Sequence, residues 1–326
     1  MEVLIVHAHH EAKSFSSALK DQAIKTLEAA GHNVVVSDLY ATGFDPVSDR
    51  RNFASTKDAD YLKQQAEESH ASEVGGFAPD VETETRKLET ADAVIFSYPL
   101  WWFGTPAILK GWIDRVLVAG RVYGGAKLYE NGVGGSKKRG MVLMTTGGGP
   151  QAYDGWGLNP SLDIILAPIQ HGTFWFNGIR PLEPFVAWSP ARIGQESREE
   201  YLRTLAGRLE NLFDEEPQKL PLMADFPNWG HDTKKRFLAV VSRKRQPDAR
   251  YLELVPAELG ELKRLKREGH LLQYDLAPPT ATDLRAFLKF RADDEAAVES
   301  LLGGLPLAEY LTHTITEIAP VAVDEN

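Results

Sequence analysis

Tyr98-Pro99-Leu100-Trp101-Trp102-Phe103-Gly104-Thr105-Pro106 follows the apolar run 93–96 and precedes a helical pattern carrying Ile108, Leu109, Trp112, Ile113 and Val116. A short β-branched run of that kind predicts a strand buried on both faces. Thr105 and Pro106 predict an N-cap and a first helical residue. Three large aromatic side chains therefore stand at the carboxyl end of a buried strand. In open parallel sheets that end, beside the point where strand order reverses, is where ligands bind. Exposed aromatic side chains there suit a flat, conjugated ligand.

Working outward, strands are expected at residues 3–6, 33–38, 93 onward, 141–145 and 174–179. Helices are expected at 16–30, around 59–68, 81–90, 160–170 and 196–213. Alternating strands and helices predict a doubly wound α/β sheet of parallel strands over residues 1–216. Asp214-Glu215-Glu216-Pro217, with Pro221 and Pro227, marks a linker over 217–233. Beyond it, residues 234–326 read strand 237–242, helix 257–268, strands 271–277 and 284–290, helix 294–302 and strand 312–318. That β-α-β-β-α-β order is the split, ferredoxin-like α+β unit.

With 326 residues, 43% of them apolar, the chain can bury a full core, and its length favours two domains. The formal net charge of −10 argues against a nucleic-acid partner. There are no cysteines, so disulfides, thiol nucleophiles and thiolate metal sites are excluded. The amino terminus offers only four consecutive apolar residues, Val3 to Val6, too few for a signal-peptide core. No run approaches the ~20 apolar residues of a spanning helix. A soluble, cytoplasmic protein without membrane insertion is expected.

Two further loops could carry chemistry. His7-Ala8-His9-His10-Glu11-Ala12-Lys13-Ser14-Phe15-Ser16 opens a helix, whose free N–H groups, with Lys13, Ser14 and Ser16, make a suitable phosphate cradle. Ser14 or Ser16 could equally be only the helix cap. With no cysteine and no second ligand cluster, the three histidines do not predict a metal site. After the fourth strand, Thr145-Thr146-Gly147-Gly148-Gly149-Pro150 lets backbone approach a planar ring closely. Neither loop contains G-x-G-x-x-G, so no dedicated dinucleotide fold is indicated.

These motifs resemble those of the flavodoxin-fold NAD(P)H:quinone oxidoreductases, the DT-diaphorase family. The resemblance rests on Ala8-His9-x-Glu11-x-x-Ser14-Phe15, Ser37-Asp38-Leu39-Tyr40-Ala41, Pro99-Leu100-x-Trp102-Phe103-Gly104-x-Pro106-Ala107-Ile108-Leu109-Lys110-Gly111-Trp112, Ser136-Lys137-Lys138, Thr145-Thr146-Gly147-Gly148 and Leu182-Glu183-Pro184. It implies FAD, with FMN as the alternative ring cofactor, NAD(P)H as co-substrate, a quinone or other flat electron acceptor, and a homodimer with its site at the subunit interface. It further implies a ping-pong cycle: NAD(P)H gives hydride to the flavin N5 and leaves, and the acceptor takes hydride from the same face.

Carried over residue by residue, the resemblance assigns His9, Ser14, Phe15 and Ser16 to the pyrophosphate and ribityl end. Pro99, Leu100, Trp102 and Phe103 form the ring wall, and Thr145, Thr146, Gly147 and Gly148 its edge. Tyr153 matches the tyrosine that stabilises charge on the reduced ring. Arg198 matches an arginine near the adenine end. Tyr123 and Phe176 match aromatics that a partner subunit adds to the acceptor pocket, which Trp102 and Phe103 also line. Trp101 departs from the pattern, with bulk expected to reshape the acceptor slot. Asn159 stands where the family has a proton-relay histidine. Carboxamide cannot take up a proton near neutral pH. Asn159 is therefore expected either to orient the ring, with water supplying protons, or simply to cap a helix before Pro160.

Residues 234–320 resemble, through Phe237-Leu238-Ala239-Val240, Gly269-His270-Leu271-Leu272 and Leu305-Pro306-Leu307-Ala308-Glu309-Tyr310, the small α+β family that includes muconolactone isomerase. His270, Tyr274, Asp275 and His313 are candidates to line a pocket on its sheet. Two other functions stay open at this point. One is an ancillary redox-sensing flavoprotein that regulates a partner through its carboxyl domain. The other is a bifunctional oxidoreductase and isomerase of aromatic catabolism.

Overall fold

In a computed structural model, which describes residues 1–226, 234–278 and 283–319, the chain forms two units, residues 1–217 and 218–326. The first begins with β1 (Glu2–His7), helix α1 (Phe15–Ala29) and β2 (Asn33–Asp38). Helices α2 (Gln64–Val74) and α3 (Pro79–Thr90) lead to β3 (Ala93–Pro99), α4 (Ala107–Val116) and β4 (Arg139–Thr146). The unit ends with α5 (Leu162–Ile169), β5 (Arg180–Pro181), β6 (Phe185–Trp188) and α6 (Gln195–Leu209). The sheet runs β2-β1-β3-β4-β5, with β6 also paired to β4, and all these pairings are parallel.

Strand order reverses at β1: the chain steps one way to β2 and the other way to β3. The crevice beyond the carboxyl ends of β1 and β3 is therefore the topological switch point. Every residue of β3 is buried. Alternate residues point to opposite faces. Leu4, Val6, Val94 and Phe96 pack with Leu109 and Trp112 of α4. Val3, Ile5, Ala93 and Ile95 pack with Leu19, Leu27, Leu205 and Leu209 of α1 and α6. Both faces are covered, which is why the strands read as unbroken apolar runs.

The strand expected at 174–179 does not form. Gln170–Phe174 makes a π-helical turn, Trp175–Asn177 a 3-10 turn, and Gly178, at φ 74°, reverses the chain. Strand pairing starts only at Arg180. A short apolar run gives no period to tell a strand from a buried turn; here Phe174 is spent packing on Phe96, ring centroids 4.8 Å apart. The helix expected around 59–68 lies later, at Gln64–Val74. Asp58 Oδ1 accepts the Asp60 and Tyr61 amides and holds that stretch as a turn. Pro106, not Thr105, occupies the position preceding α4.

In the second unit β7 (Lys235–Arg243), α7 (Ala249–Arg267), β8 (Leu271–Leu276), β9 (Leu284–Ala292), α8 (Glu295–Gly303) and β10 (Leu311–Ile318) build an antiparallel sheet of order β10-β7-β9-β8. This is the expected β-α-β-β-α-β order. Helix α7 starts earlier than expected because Asp248, not the region of Pro256, supplies the cap, accepting the Tyr251 amide. Part of the expected linker, 227–233, and the end of the expected domain, 320–326, lie outside the described residues. Three of the candidate pocket residues do not converge. His313 pairs with Glu299 of α8 at 2.7 Å, Tyr274 packs against the core, and Asp275, its neighbour on the opposite face, accepts from Gln273.

One buried group fixes α4, and with it the loop before it. Glu84 of α3 accepts from Trp112 Nε1 at 2.7 Å, Ser37 Oγ at 2.6 Å and Lys87 Nζ. Glu84→Ala strips the acceptor from two buried donors, and we expect a loss of about 2 kcal/mol in denaturant unfolding. A loss within about 0.5 kcal/mol, the range of ordinary surface substitutions, would refute that role.

Candidate active site

Three loops leave the carboxyl ends of β1, β3 and β4. In the first, Ser14 caps α1, its Oγ accepting the Ser17 amide at 3.1 Å. The Phe15 and Ser16 amides have no acceptor among the described residues. They are free donors at the positive end of a helix dipole. His9 is half-buried, and its Nδ1 accepts the Glu11 amide at 3.0 Å. In the neutral ring the proton then sits on Nε2, a third outward donor. Burial, and then the neighbouring His10, hold His9 below the usual imidazole range, which favours that neutral form.

The second loop is the aromatic turn. Leu100 donates its amide to Thr145 O at 2.8 Å, and Trp101 and Gly104 exchange two backbone hydrogen bonds, of 3.1 and 2.9 Å. Between them Trp102 and Phe103 have φ values of 51° and 58°. Both central residues of this two-residue reverse turn are left-handed, a conformation normally given to Asn and Gly. It costs roughly 1–2 kcal/mol for each L-residue. Strain of this kind persists where the surroundings impose it, and it clusters at functional sites. Its product is an aromatic pair held outward: Trp102 is 97% exposed and Phe103 48%.

Trp101 turns the other way. It is half-buried against His9 and His10, ring centroids 5.9 and 5.7 Å away. The indole thus faces the first loop and not the outward pair.

In the third loop the Thr146 hydroxyl donates to Gly148 O at 2.8 Å, and Thr145 Oγ1 lies 2.8 Å from Ser16 Oγ. A Cβ on Gly147 would meet nothing within 4 Å, whereas one on Gly148 would press on Ala152 and Tyr153 at 3.1 Å. Gly147 is thus an open approach to backbone, and Gly148 seats Tyr153. The Tyr153 ring stands 6.4 Å from Phe103 and 5.6 Å from Trp188. Asn159 is not a helix cap. Ser161 precedes α5, and Asn159 Nδ2 donates to Ala152 O at 3.0 Å, closing the loop that carries Tyr153.

Arg198 donates to the carbonyls of Pro190 and Ile193, at 3.1 and 2.8 Å, and so shapes the entry to α6. Beside it opens a cleft of about 710 Å³ lined by Trp188, Ile193, Glu196, Ser197 and Tyr201. Tyr201 reaches both sides, its OH accepting the Trp188 amide at 3.2 Å and its ring lying 6.5 Å from Phe15. Trp188 and Tyr201 were not legible as site residues because the strand carrying Trp188 was expected too early. Tyr123 and Phe176, 6.3 Å apart, line a different cleft of about 500 Å³ with Gln64 and Glu68. Burial pushes the Glu68 carboxyl upward against the opposing Ala119 amide and Gln64.

A sequence family described as flavodoxin-like fold matches residues 1–212. The rat NAD(P)H dehydrogenase (quinone) 1 is 41% identical over 215 residues, 66% of this chain and 78% of that protein. The human ribosyldihydronicotinamide dehydrogenase (quinone) is 37% identical over 217 residues, 66% of this chain and 94% of that one. The structure of a quinone reductase from Klebsiella pneumoniae superposes with a TM-score of 0.65 at 36% identity, covering 68% of this chain and 88% of that one. This chain belongs to the flavodoxin-like quinone reductase family. The matched region is the first unit, the one that carries all three loops.

Among the described residues of this family member, no group of three or more His, Asp or Glu side chains could hold a metal, and no helix is long and apolar enough to cross a membrane. His7, at the root of the first loop, is 1% exposed between Ser97 Oγ at 3.0 Å and Ser17 Oγ at 3.2 Å. Burial lowers its pKa from the ordinary 6.5 to about 4, with Asp38 opposing. The unfolded chain binds this proton more readily, so the stability His7 permits is complete above pH 6.5 and is lost as pH falls toward about 4. We expect a loss on the order of 3 kcal/mol across that window at most. His7→Asn should flatten the unfolding free energy there, and an unchanged slope would refute the assignment.

Proposed function

We propose that the protein is a flavin-dependent NAD(P)H:quinone oxidoreductase, also accepting related flat oxidants, and that it works as a homodimer. The observation that carries the reading is the convergence of free helix amides, an outward aromatic pair and an open glycine at one switch point, joined through Thr145. The donor set fits the group. The amides of Phe15 and Ser16 with His9 Nε2 suit a phosphate, Ser14 holding the cap that frees them. Gly147, with no side chain in the way, suits the edge of a ring. When bound, a flavin supplies a two-electron carrier that takes hydride through N5 from a dihydronicotinamide and passes it to the acceptor, in a ping-pong cycle.

The chain's own residues then have separate tasks. Pro99, Leu100, Trp102 and Phe103 form the wall of the ring site, largely as backbone set by the strained turn. Thr145, Thr146, Gly147 and Gly148 form its edge. Tyr153, seated on Gly148, offers its hydroxyl to the ring edge, and Asn159 holds the loop that carries it. The cleft beside Trp188 and Tyr201, with Arg198 fixing its rim, accommodates an adenosine and favours FAD over FMN. Trp102, Phe103 and Trp156, the last 70% exposed, are bare aromatic side chains of the sort that a second copy covers. Tyr123 and Phe176 of that copy would complete the acceptor pocket.

Purified protein should oxidise NADH, NADPH or ribosyldihydronicotinamide with a quinone and give parallel double-reciprocal lines, because donor and acceptor share one slot. Converging lines would contradict shared-slot exchange. With water supplying protons, the wild-type rate should show no break near pH 6.5 that survives replacement of His9 and His10, and Asn159→His should introduce one; a surviving break in the wild type would refute water as the proton source.

A further inference from the structure

Outside the ring wall, four aromatic side chains from three different loops form a contiguous cluster at the carboxyl end of the sheet. His9 and His10 follow β1, Tyr40 follows β2, and Trp101 follows β3. The His9 and His10 rings are parallel within 19°, centroids 4.9 Å apart. Trp101 lies 5.9 Å from His9 and 5.7 Å from His10, and Tyr40 meets His10 edge-on at 5.9 Å. Sequence separation makes this arrangement non-trivial: β2, β1 and β3 are adjacent in the sheet, so their carboxyl-end loops meet although residues 10 and 101 are far apart in the chain.

We infer that Trp101 is a positioning residue for the flavin phosphate: by bracing the imidazole pair it fixes the direction of the His9 Nε2–H. Two constraints then hold His9. The Glu11 amide on Nδ1 sets which nitrogen carries the proton, and the stack sets where that proton points. Without the indole, the first loop keeps its helix cap, because the Ser14–Ser17 contacts lie within the loop and α1. The His9 ring, only half-buried, then keeps the Glu11 amide and the His10 contact but loses the wall that limits its swing about them. Trp101 also braces the turn that carries the ring wall, through the backbone bonds with Gly104, but a side-chain replacement leaves those bonds available.

The inference rests on the flavin reading above, and its test separates the two. Apoprotein is titrated with FAD, FMN and riboflavin, following quenching of flavin fluorescence, for wild type, Trp101→Gln and Trp101→Phe. Because riboflavin has no phosphate, a positioning role predicts weaker binding of FAD and FMN in Trp101→Gln, by about tenfold, the scale of one lost aromatic contact. Riboflavin affinity should hold near the wild-type value, and Trp101→Phe should recover most of the loss. Equal weakening for all three flavins would overturn the inference, placing Trp101 on the ring instead. So would unchanged FAD affinity with an altered preference between two quinones. Wild-type apoprotein that binds none of the three flavins would refute the functional reading itself.

Discussion

Thr145 is the point on which the crevice depends. Its carbonyl accepts the Leu100 amide and so anchors the aromatic turn, while its hydroxyl meets Ser16 on the first turn of α1. The residue is buried at the end of β4, where the parallel ladder with β3 fixes its position opposite Pro99. One side chain and one carbonyl thus register the loops that follow β1, β3 and β4.

The strained turn follows from that registration. Two consecutive left-handed aromatic residues are costly, and the reciprocal bonds between Trp101 and Gly104 alone would not select them over a glycine-bearing turn. What the strain achieves is a direction: Trp102 and Phe103 project outward while Trp101 packs back on the histidines. Tyr153, placed by Gly148, then brings a third ring to within 6.4 Å of Phe103. An apolar wall and free helix amides therefore meet at the carboxyl end of the sheet, and a flavin is the ligand whose ring and phosphate would use both.

Much of this was legible in the sequence for physical reasons. The unbroken, β-branched apolar runs at 3–6 and 93–96 read as strands buried on both faces, and their alternation with amphipathic helices points to the doubly wound order. A serine cap was legible as Ser14 or Ser16, because a hydroxyl before an apolar helix has a definite partner, and the structure selects Ser14. Several of the misses depended on a contact outside the run being read. The run 174–179 became turns because Phe174 packs on Phe96. Asn159 bonds a carbonyl seven residues back instead of capping α5. The orientation of Trp101 depends on His10, and Trp188 joins the site only through Tyr201.

A bound flavin is the most direct test of what these loops are built to hold. The full-length protein should release, on acid precipitation, a yellow chromophore with the absorbance and mass of FAD. A colourless protein that also fails to take up added flavin would contradict the account.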